Sequence, residues 1–148
     1  MDLKQRIKNT FEKVKVMQLA TVRNGQPWCC NVHVYIDDEL SIYWVSAPTR
    51  RHSKELADDP RVAAAAAVKQ DKPVLGLQVE GTAKAVEDAV IAKRIMRLYG
   101  KRHGSEPAWV DDVAAGRATV KLYCLKPTKV AIFDPAASPD SPQQILEL

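Results

Sequence analysis

The chain has 148 residues, 46% of them hydrophobic, with 22 Lys and Arg against 18 Asp and Glu, which leaves a formal net charge of +4. This length suits one domain that buries a core, and the nearly balanced charge favours a local anion site over a general nucleic-acid surface. No run reaches the ~20 apolar residues that span a bilayer, and the first residues lack a signal peptide's apolar segment. We therefore expect a single cytoplasmic domain over residues 1–148 that binds neither nucleic acid nor membrane.

The first half of the chain predicts a helix followed by three strands. Apolar side chains at helical spacing predict an N-terminal helix over residues 1–14, namely Leu3, Ile7, Phe11 and Val14. Residues 17–46 then contain three runs of β-forming residues, separated by turn signals at Asn24-Gly25 and at residues 37–39. This order predicts an antiparallel meander.

The middle run of the meander alternates in polarity. One set of alternate positions is apolar, and it comprises Cys30, Val32, Val34 and Ile36. The other set is more polar, and it comprises Cys29, Asn31, His33 and Tyr35. Because neighbouring residues on a strand point to opposite sides, the first set is expected in the core and the second could line a site.

The three cysteines are an odd number in a chain without export features, which predicts unpaired, buried thiols rather than a disulfide framework.

The second half of the chain predicts more strands and another helix. "RVAAAAAVK" after Pro60 is predicted as a strand, with a helix as the alternative because alanine favours helices. "VLGLQVEGTAKAV" is predicted as a strand, and residues 87–102 as a helix that buries Ile91, Ile95 and Leu98. A loop with one short helical turn, two strands around residues 126–128 and a loosely held tail over residues 135–148 complete the chain. Six or seven strands in hairpins are most simply arranged as a small barrel.

The stretch "SAPTRRHSKELADDP" contains the strongest candidate site. Ser46 ends a strand, Thr49 offers a hydroxyl or a helix N-cap, and Arg50, Arg51 and His52 fall at the start of a predicted helix. Cations there oppose the helix dipole, so stability alone does not explain them. A phosphate group would resolve the conflict, because it would meet guanidinium groups and backbone N–H groups together. A solvated charged loop is the alternative.

Common enzyme signatures are missing from the sequence. It has no G-x-S-x-G, no phosphate loop ending in Gly-Lys-Ser or Gly-Lys-Thr, no G-x-G-x-x-G, and no two histidines at metal-ligand spacing. Hydrolase, NTPase and metalloenzyme functions are therefore poorly supported.

The order of these motifs resembles the pyridoxamine 5'-phosphate oxidase-like flavoproteins, and in particular their small bacterial members. The resemblance rests on "WCCNVHVYIDD", "SAPTRRHSKELADDPRVAAAA", "GLQVEGTAKAV" and "LKPTKVAIFD", which together cover most of residues 15–134. It implies a six-stranded antiparallel split β-barrel with peripheral helices, a homodimer, and FMN bound at the dimer interface.

The resemblance also implies roles for individual residues. Ser46 would meet the FMN phosphate, and Arg51 and His52 would replace the family's Arg-Lys pair, with Arg50 and Thr49 assisting. The strand under the flavin ring would be formed by Asn31, Val32, His33 and Val34. Tyr99 or Trp109 of a partner subunit could cover the ring. His52 stands where Lys is commoner, and Gly76 stands where true pyridoxamine phosphate oxidases have Gln. The segment after residue 134 also lacks their C-terminal Trp and Arg.

Three functional hypotheses follow. The first is an FMN-dependent oxidoreductase that does not act on pyridoxamine phosphate. The second is a binding or sensing module that holds flavin or haem without turnover, with His33 and His52 as candidate haem ligands. The third is a dimeric scaffold with an empty cleft. Coenzyme F420 in place of FMN is a further alternative.

Overall fold

The structure is a computed structural model that describes all residues 1–148. It contains four helices and eight strands. The helices are α1 (Leu3–Phe11), α2 (Arg51–Asp58), α3 (Ala89–His103) and α4 (Pro107–Ala114). The strands are β1 (Val16–Arg23), β2 (Gln26–His33), β3 (Tyr35–Ile36), β4 (Ile42–Ser46), β5 (Arg61–Lys69), β6 (Leu75–Ala85), β7 (Lys121–Phe133) and β8 (Gln143–Glu147). No helix is long and apolar enough to cross a membrane.

All strands belong to one antiparallel sheet that curls into a half-barrel. Seven of them follow the order β2-β1-β5-β6-β7-β4-β3, and β8 pairs with β7 beside this path. The two ends of the path, β2 and β3, are consecutive along the chain and are separated only by Val34. The sheet therefore bends back towards its own beginning, and β2 also contacts β4. This curvature is consistent with a split barrel.

The sequence predicted six or seven strands and the resemblance implied six, whereas the sheet has seven strands on its path and β8 beside it, and two local features add strands. The Val34 N–H donates to the Lys15 carbonyl, so the predicted middle run divides into β2, which pairs with β1, and β3, which pairs with β4. In addition, the tail predicted to be loosely held over residues 135–148 forms β8, in which Ile145 lies opposite Ala131. Backbone pairing along the free side of β7 thus orders the end of the chain.

The β1–β2 hairpin forms as the Asn-Gly signal predicts. Asn24 and Gly25 have φ angles of 50° and 77°, and Arg23 pairs with Gln26 across the turn. Two consecutive residues with positive φ match the twist of a tight hairpin, and glycine adopts that conformation without a steric penalty. This turn fixes the register that places the polar side of β2 outside the barrel.

The alternation along the strands defines the main core. Val32 and Val34 are buried, while Asn31 and His33 are exposed, as predicted. The alanine-rich run is β5, which pairs with β1 and β6 and turns Val62, Ala64 and Ala66 inward, so the helical alternative is wrong. Other members of this core come from α1 and the remaining strands: Ile7, Phe11, Met17, Leu19, Ile42, Trp44, Leu77, Val79, Leu125, Val130 and Ile132.

A second, smaller core lies under α3 and α4. The helix predicted over residues 87–102 is α3, which starts after the N-cap Asp88 and ends at Gly104 with a φ of 65°. Its buried face differs from the prediction, because Ile91 and Leu98 are each 37% exposed. Ile95 is buried as predicted, and the other residues that pack inward are Ala92, Met96, Tyr99 and Gly100. The predicted helical turn after α3 is the two-turn helix α4.

Two further expectations need correction. The segment around residues 126–128 does not separate two strands, because β7 runs through it with a register shift opposite Gly81. A Cβ atom at Gly81 would overlap the Lys126 carbonyl, so the close approach of β6 and β7 requires glycine here. The cysteines are unpaired, but they are not all buried, since Cys29 is exposed and Cys30 and Cys124 are half-buried.

Candidate functional site

One cleft brings together most of the predicted site residues. It has a volume of about 490 Å³ and lies between β2, the junction of β4 and α2, and one residue of α3. Seven of its lining residues were predicted from the sequence: Asn31, Val32, His33, Ser46, Arg50, Arg51 and His52. Of the other four, Trp28, Cys30 and Val45 were not assigned to it, and Tyr99 was predicted only as a contribution from a partner subunit. Its volume falls in the range of small-molecule sites.

Arg51 is held at one end of the cleft by two neighbours. Its Nε donates to Glu55 Oε2 at 2.8 Å, and its guanidinium lies 4.1 Å from the centre of the Trp28 ring. These contacts fix the side chain but use neither terminal amino group. A guanidinium held in this way keeps two N–H-bearing groups for an anion.

Glu55 is a buried carboxylate that supports this arrangement. Its side chain is 3% exposed, and it accepts hydrogen bonds from Arg51 Nε and from Thr21 Oγ1 at 2.9 Å. The hydrogen bond from Arg51, followed by that from Thr21, lowers the pKa of Glu55 against the opposing effect of burial. The carboxylate therefore stays ionised and orients Arg51.

His52 does not provide the positive charge that its position suggested. Only 8% of the residue is exposed, and its Nε2 lies 2.8 Å from Ser46 Oγ. Burial and the nearby Arg50 lower its pKa, so the imidazole is neutral at pH 7. If Nε2 carries the proton, it donates to Ser46 Oγ, and the serine hydroxyl can donate to an anion. The opposite tautomer would accept the serine proton instead.

The start of α2 has backbone donors without a side-chain cap. Its N-cap is Arg50, which makes no capping hydrogen bond, whereas Asp2 and Asp88 cap α1 and α3. The first N–H groups of a helix have no intrahelical partner. Thr49 is not the N-cap, and its exposed side chain lies outside the cleft. The backbone of α2 and the Arg51 side chain thus offer donors at the same end of the cleft.

The other end of the cleft is formed by β2. Asn31 accepts a hydrogen bond from Gln18 Nε2 at 2.9 Å, and the exposed His33 side chain makes no hydrogen bond within the chain. Val34 lies outside the cleft, because its side chain is fully buried and both of its backbone polar groups are paired within the chain. Of the predicted ring-binding strand, residues 31–33 line the cleft.

Aromatic rings flank this end. His103 Nε2 donates to the Val34 carbonyl at 2.9 Å, and its ring lies edge-to-face with His33 at 5.6 Å. The Tyr99 ring packs 4.6 Å from the His103 ring and lines the cleft of its own chain, whereas the resemblance implied Tyr99 as a contribution from a partner. The centre of the Trp109 ring lies 6.4 Å from that of Tyr99, and Trp109 does not line the cleft.

The residues missed by sequence reasoning had weak signals. Trp28 is a large aromatic residue at the beginning of a strand, and it is 41% exposed. An exposed tryptophan on a strand beside predicted cations is a candidate for a cation–π contact. Tyr99 belongs to the buried side of α3, and only the packing of α3 on the barrel brings it to the cleft.

The cleft offers no ready nucleophile or metal site. Burial, together with the neighbouring Cys29, raises the pKa of Cys30 to about 11, so this thiol is protonated at neutral pH. No group of three or more His, Cys, Asp or Glu residues is placed to hold a metal ion. The arrangement is therefore suited to binding an anionic ligand and orienting it along β2.

Solved structures with this fold come from several bacteria. General stress protein 26 of Bacillus anthracis is 20% identical, with a TM-score of 0.69 and full coverage of both chains. The conserved hypothetical protein Rv2991 of Mycobacterium tuberculosis is 18% identical, with a TM-score of 0.72, over 88% of this chain and 82% of that one. HutZ, described as a haem storage protein of Vibrio cholerae, is 22% identical, with a TM-score of 0.65, over 86% of this chain and 91% of that one. At these identities, the structures establish the fold alone.

A search of curated proteins by sequence gives no match. A family profile does match, and it is described as pyridoxamine 5'-phosphate oxidase and spans residues 3–134. This span covers the half-barrel up to the end of β7 and includes every residue of the cleft. The resemblance inferred from the sequence motifs is confirmed, and the chain belongs to the pyridoxamine 5'-phosphate oxidase family.

Proposed function

We propose that this protein binds FMN in the cleft between β2 and the start of α2 and acts as a flavin-dependent oxidoreductase. The single observation that carries the proposal is the continuity of the cleft. Within about 490 Å³, it joins a cationic end at Arg51 to the strand segment 31–33, where Asn31 and His33 are exposed. FMN has a phosphate at one end and a flat ring system at the other, so its two parts match the two ends.

The donors at the cationic end suit a phosphate monoester. Arg51 has two terminal amino groups without protein partners, and the backbone at the start of α2 has no side-chain cap. Phosphate is the preferred ligand of such a combination, because its oxygens accept several charge-assisted hydrogen bonds at once. Ser46 adds a hydroxyl donor when His52 carries its proton on Nε2. Arg50 lies at the same end and compensates for the missing charge of His52.

The proposed chemistry belongs to the cofactor. Bound FMN supplies the capacity to accept and release electrons, while the protein binds and orients it and controls access to the ring. Residues 31–33 would lie beside the ring, and Tyr99 would limit the space around it. Pyridoxamine phosphate is not the proposed substrate, because Gly76 replaces the glutamine of the true oxidases and the segment after residue 134 lacks their Trp and Arg.

We also propose that the protein is a homodimer, with the cleft completed by the second copy. The outer side of β5 carries Ala63, Ala65 and Ala67, which allow another chain to approach closely. Trp28 at the cleft rim is 41% exposed, as expected for a residue that a partner subunit could cover. Light scattering of the purified protein measures the mass and tests this part of the proposal.

Haem binding is the second candidate function. The observation that favours it is the exposed His33 imidazole, which faces the cleft and makes no hydrogen bond within the chain. One of the similar structures is also described as a haem storage protein. The second histidine considered from the sequence, His52, is unsuitable as an axial ligand, because it is buried and its Nε2 contacts Ser46.

The test is a comparison of FMN, riboflavin and haem on cofactor-free protein. We expect FMN to bind at least about tenfold more tightly than riboflavin, since only FMN has the phosphate that Arg51 would hold. Quenching of flavin fluorescence measures both affinities. Equal affinity for the two flavins would contradict the phosphate site. Haem would become the proposed ligand in place of FMN if the protein bound neither flavin and if added haem gave a Soret band that His33→Ala removes.

A further inference from the structure

A second cleft, here called the lysine cleft, runs along α2 and shares no residue with the proposed FMN cleft. It has a volume of about 570 Å³ and is bounded by α2, by Pro48 and Pro60, and by the paired strands β6 and β7. Its charged or polar lining residues are Arg23, Ser53, Lys54, Asp58, Lys84 and Lys121.

The lysine cleft has an excess of positive charge that the chain does not neutralise. Arg23 is paired with Asp58 at 2.8 Å, so these two charges cancel. Lys54, Lys84 and Lys121 are exposed and take part in no ion pair. Three cations around one concave surface raise the local potential and attract a small anion, most strongly one with several charges. The charge pattern therefore indicates a ligand with at least two negative charges.

A buried hydroxyl in the cleft wall supports this interpretation. Ser53 is 3% exposed, and its Oγ has no hydrogen-bond partner in the chain. A buried polar group without a partner is destabilising, and most such groups in folded proteins are satisfied by protein, water or ligand. The Oγ atom is covered in this structure, so a rotation of the Ser53 side chain would bring it to an anion in the lysine cleft, which would then serve as its acceptor. The unpaired lysines indicate an anionic ligand, and the unpartnered serine is an independent observation that a hydrogen-bond partner is missing beside the same cleft.

The remaining walls are apolar. They are formed by Pro48, Leu56, Ala57, Pro60, Ala83, Ala85 and Tyr123. A site with cations on one side and apolar walls on the other suits an organic molecule that carries a phosphate chain. We propose that the lysine cleft is a second ligand site, which binds a small molecule with a diphosphate or triphosphate group. This inference goes beyond the proposed function and does not depend on it.

The experiment is calorimetric titration with pyrophosphate, which serves as the probe for the phosphate chain. Pyrophosphate could also bind at Arg51, so the titration uses the FMN-saturated protein and, separately, the Arg51→Ala variant. We expect pyrophosphate to bind in both cases and more tightly than inorganic phosphate. No binding in the Arg51→Ala variant would overturn the proposal, because pyrophosphate binding would then require Arg51 in the proposed FMN cleft.

Two variants in the Arg51→Ala background test the lysines. Lys84→Gln/Lys121→Gln removes two exposed cations of the lysine cleft, and we expect at least tenfold weaker pyrophosphate binding with unchanged thermal unfolding. Lys69→Gln is the matched control, since Lys69 is exposed, is unpaired and lies outside the lysine cleft. Unchanged binding in the double variant, or an equal loss in the control, would overturn the proposal.

A third variant tests the hydroxyl. Ser53→Ala removes the unpartnered Oγ, so we expect weaker pyrophosphate binding without a loss of stability, since no hydrogen bond within the chain is broken. A pyrophosphate affinity equal to that of the parent would show that Ser53 does not contact the ligand. Stability lost in parallel with affinity would indicate a structural role instead.

Discussion

Replacement of Arg51 by alanine is the sharpest test of the phosphate position. The guanidinium has two terminal amino groups available to the ligand, and a hydrogen bond to a charged group contributes about 1.5–3 kcal/mol. Because 47% of the side chain is exposed, water competes for these donors, and we count the equivalent of one such bond. The expected weakening of FMN binding is therefore about 1.5–3 kcal/mol, or roughly tenfold to 150-fold in Kd.

The assay is quenching of flavin fluorescence in a titration of cofactor-free protein. Riboflavin provides an internal comparison, because its affinity should change little when a phosphate-binding residue is removed. Arg51→Lys retains the positive charge but cannot contact Glu55 and the phosphate in the same planar geometry, so its FMN affinity should lie between those of the parent and the alanine variant.

Arg117→Ala is the matched control for this series. Arg117 also pairs with an acidic side chain, at 3.0 Å from Asp112, but it lies outside the cleft. We expect FMN affinity equal to that of the parent. If Arg51→Ala binds FMN as tightly as the parent, or loses FMN and riboflavin equally, the phosphate does not lie at Arg51 and the reasoning from the free amino groups is wrong.

Three further outcomes are expected. Glu55→Gln should weaken FMN binding by roughly threefold to tenfold, which is less than the effect of Arg51→Ala, because a neutral amide orients Arg51 less firmly. The same flavin titration measures this change. A larger effect than that of Arg51→Ala would contradict a positioning role for Glu55. Because the pKa of His52 is lower in the folded chain than in the unfolded chain, the unfolded chain binds the proton at a higher pH. The free energy of unfolding should therefore decrease as the pH falls below about 6.5. Urea unfolding at pH 7.5 and 5.5 tests this, and His52→Gln should reduce the difference. Gly81→Ala should destabilise the fold by about 3 kcal/mol or more, because the new Cβ overlaps the Lys126 carbonyl. An unchanged midpoint of urea unfolding would contradict the close approach of β6 and β7 at this residue.

The strands of this protein could be predicted from the sequence because their signals are local. Asn24-Gly25 specifies a tight hairpin through the conformational preferences of two residues. The alternation around Val32 depends only on the period of a β-strand, which places its neighbours Asn31 and His33 on the opposite side. The cluster of cations after Ser46 was visible because it opposes the expected charge preference at the start of a helix.

Predictions about helix orientation and strand ends were less successful. The buried face of α3 includes Met96 and Tyr99 rather than Ile91 and Leu98. Hydrophobicity alone could not distinguish these faces, since both carry large apolar residues, and the position of the barrel decided which one is covered. Likewise, the proline-rich end of the chain contains a strand because β7 offers it unpaired backbone groups.

The roles of individual cleft residues depended most on tertiary structure. Local sequence patterns were enough to predict a β-rich chain with a hairpin meander, a polar strand face with Asn31 and His33, and a basic helix start at Arg51. Only the curled sheet decided that these two regions share one cleft, that Trp28 and Glu55 hold Arg51, and that His52 is buried beside Ser46. The physical reason is that burial and hydrogen bonding set the charge of a histidine and the orientation of an arginine, and both depend on partners that are distant along the chain.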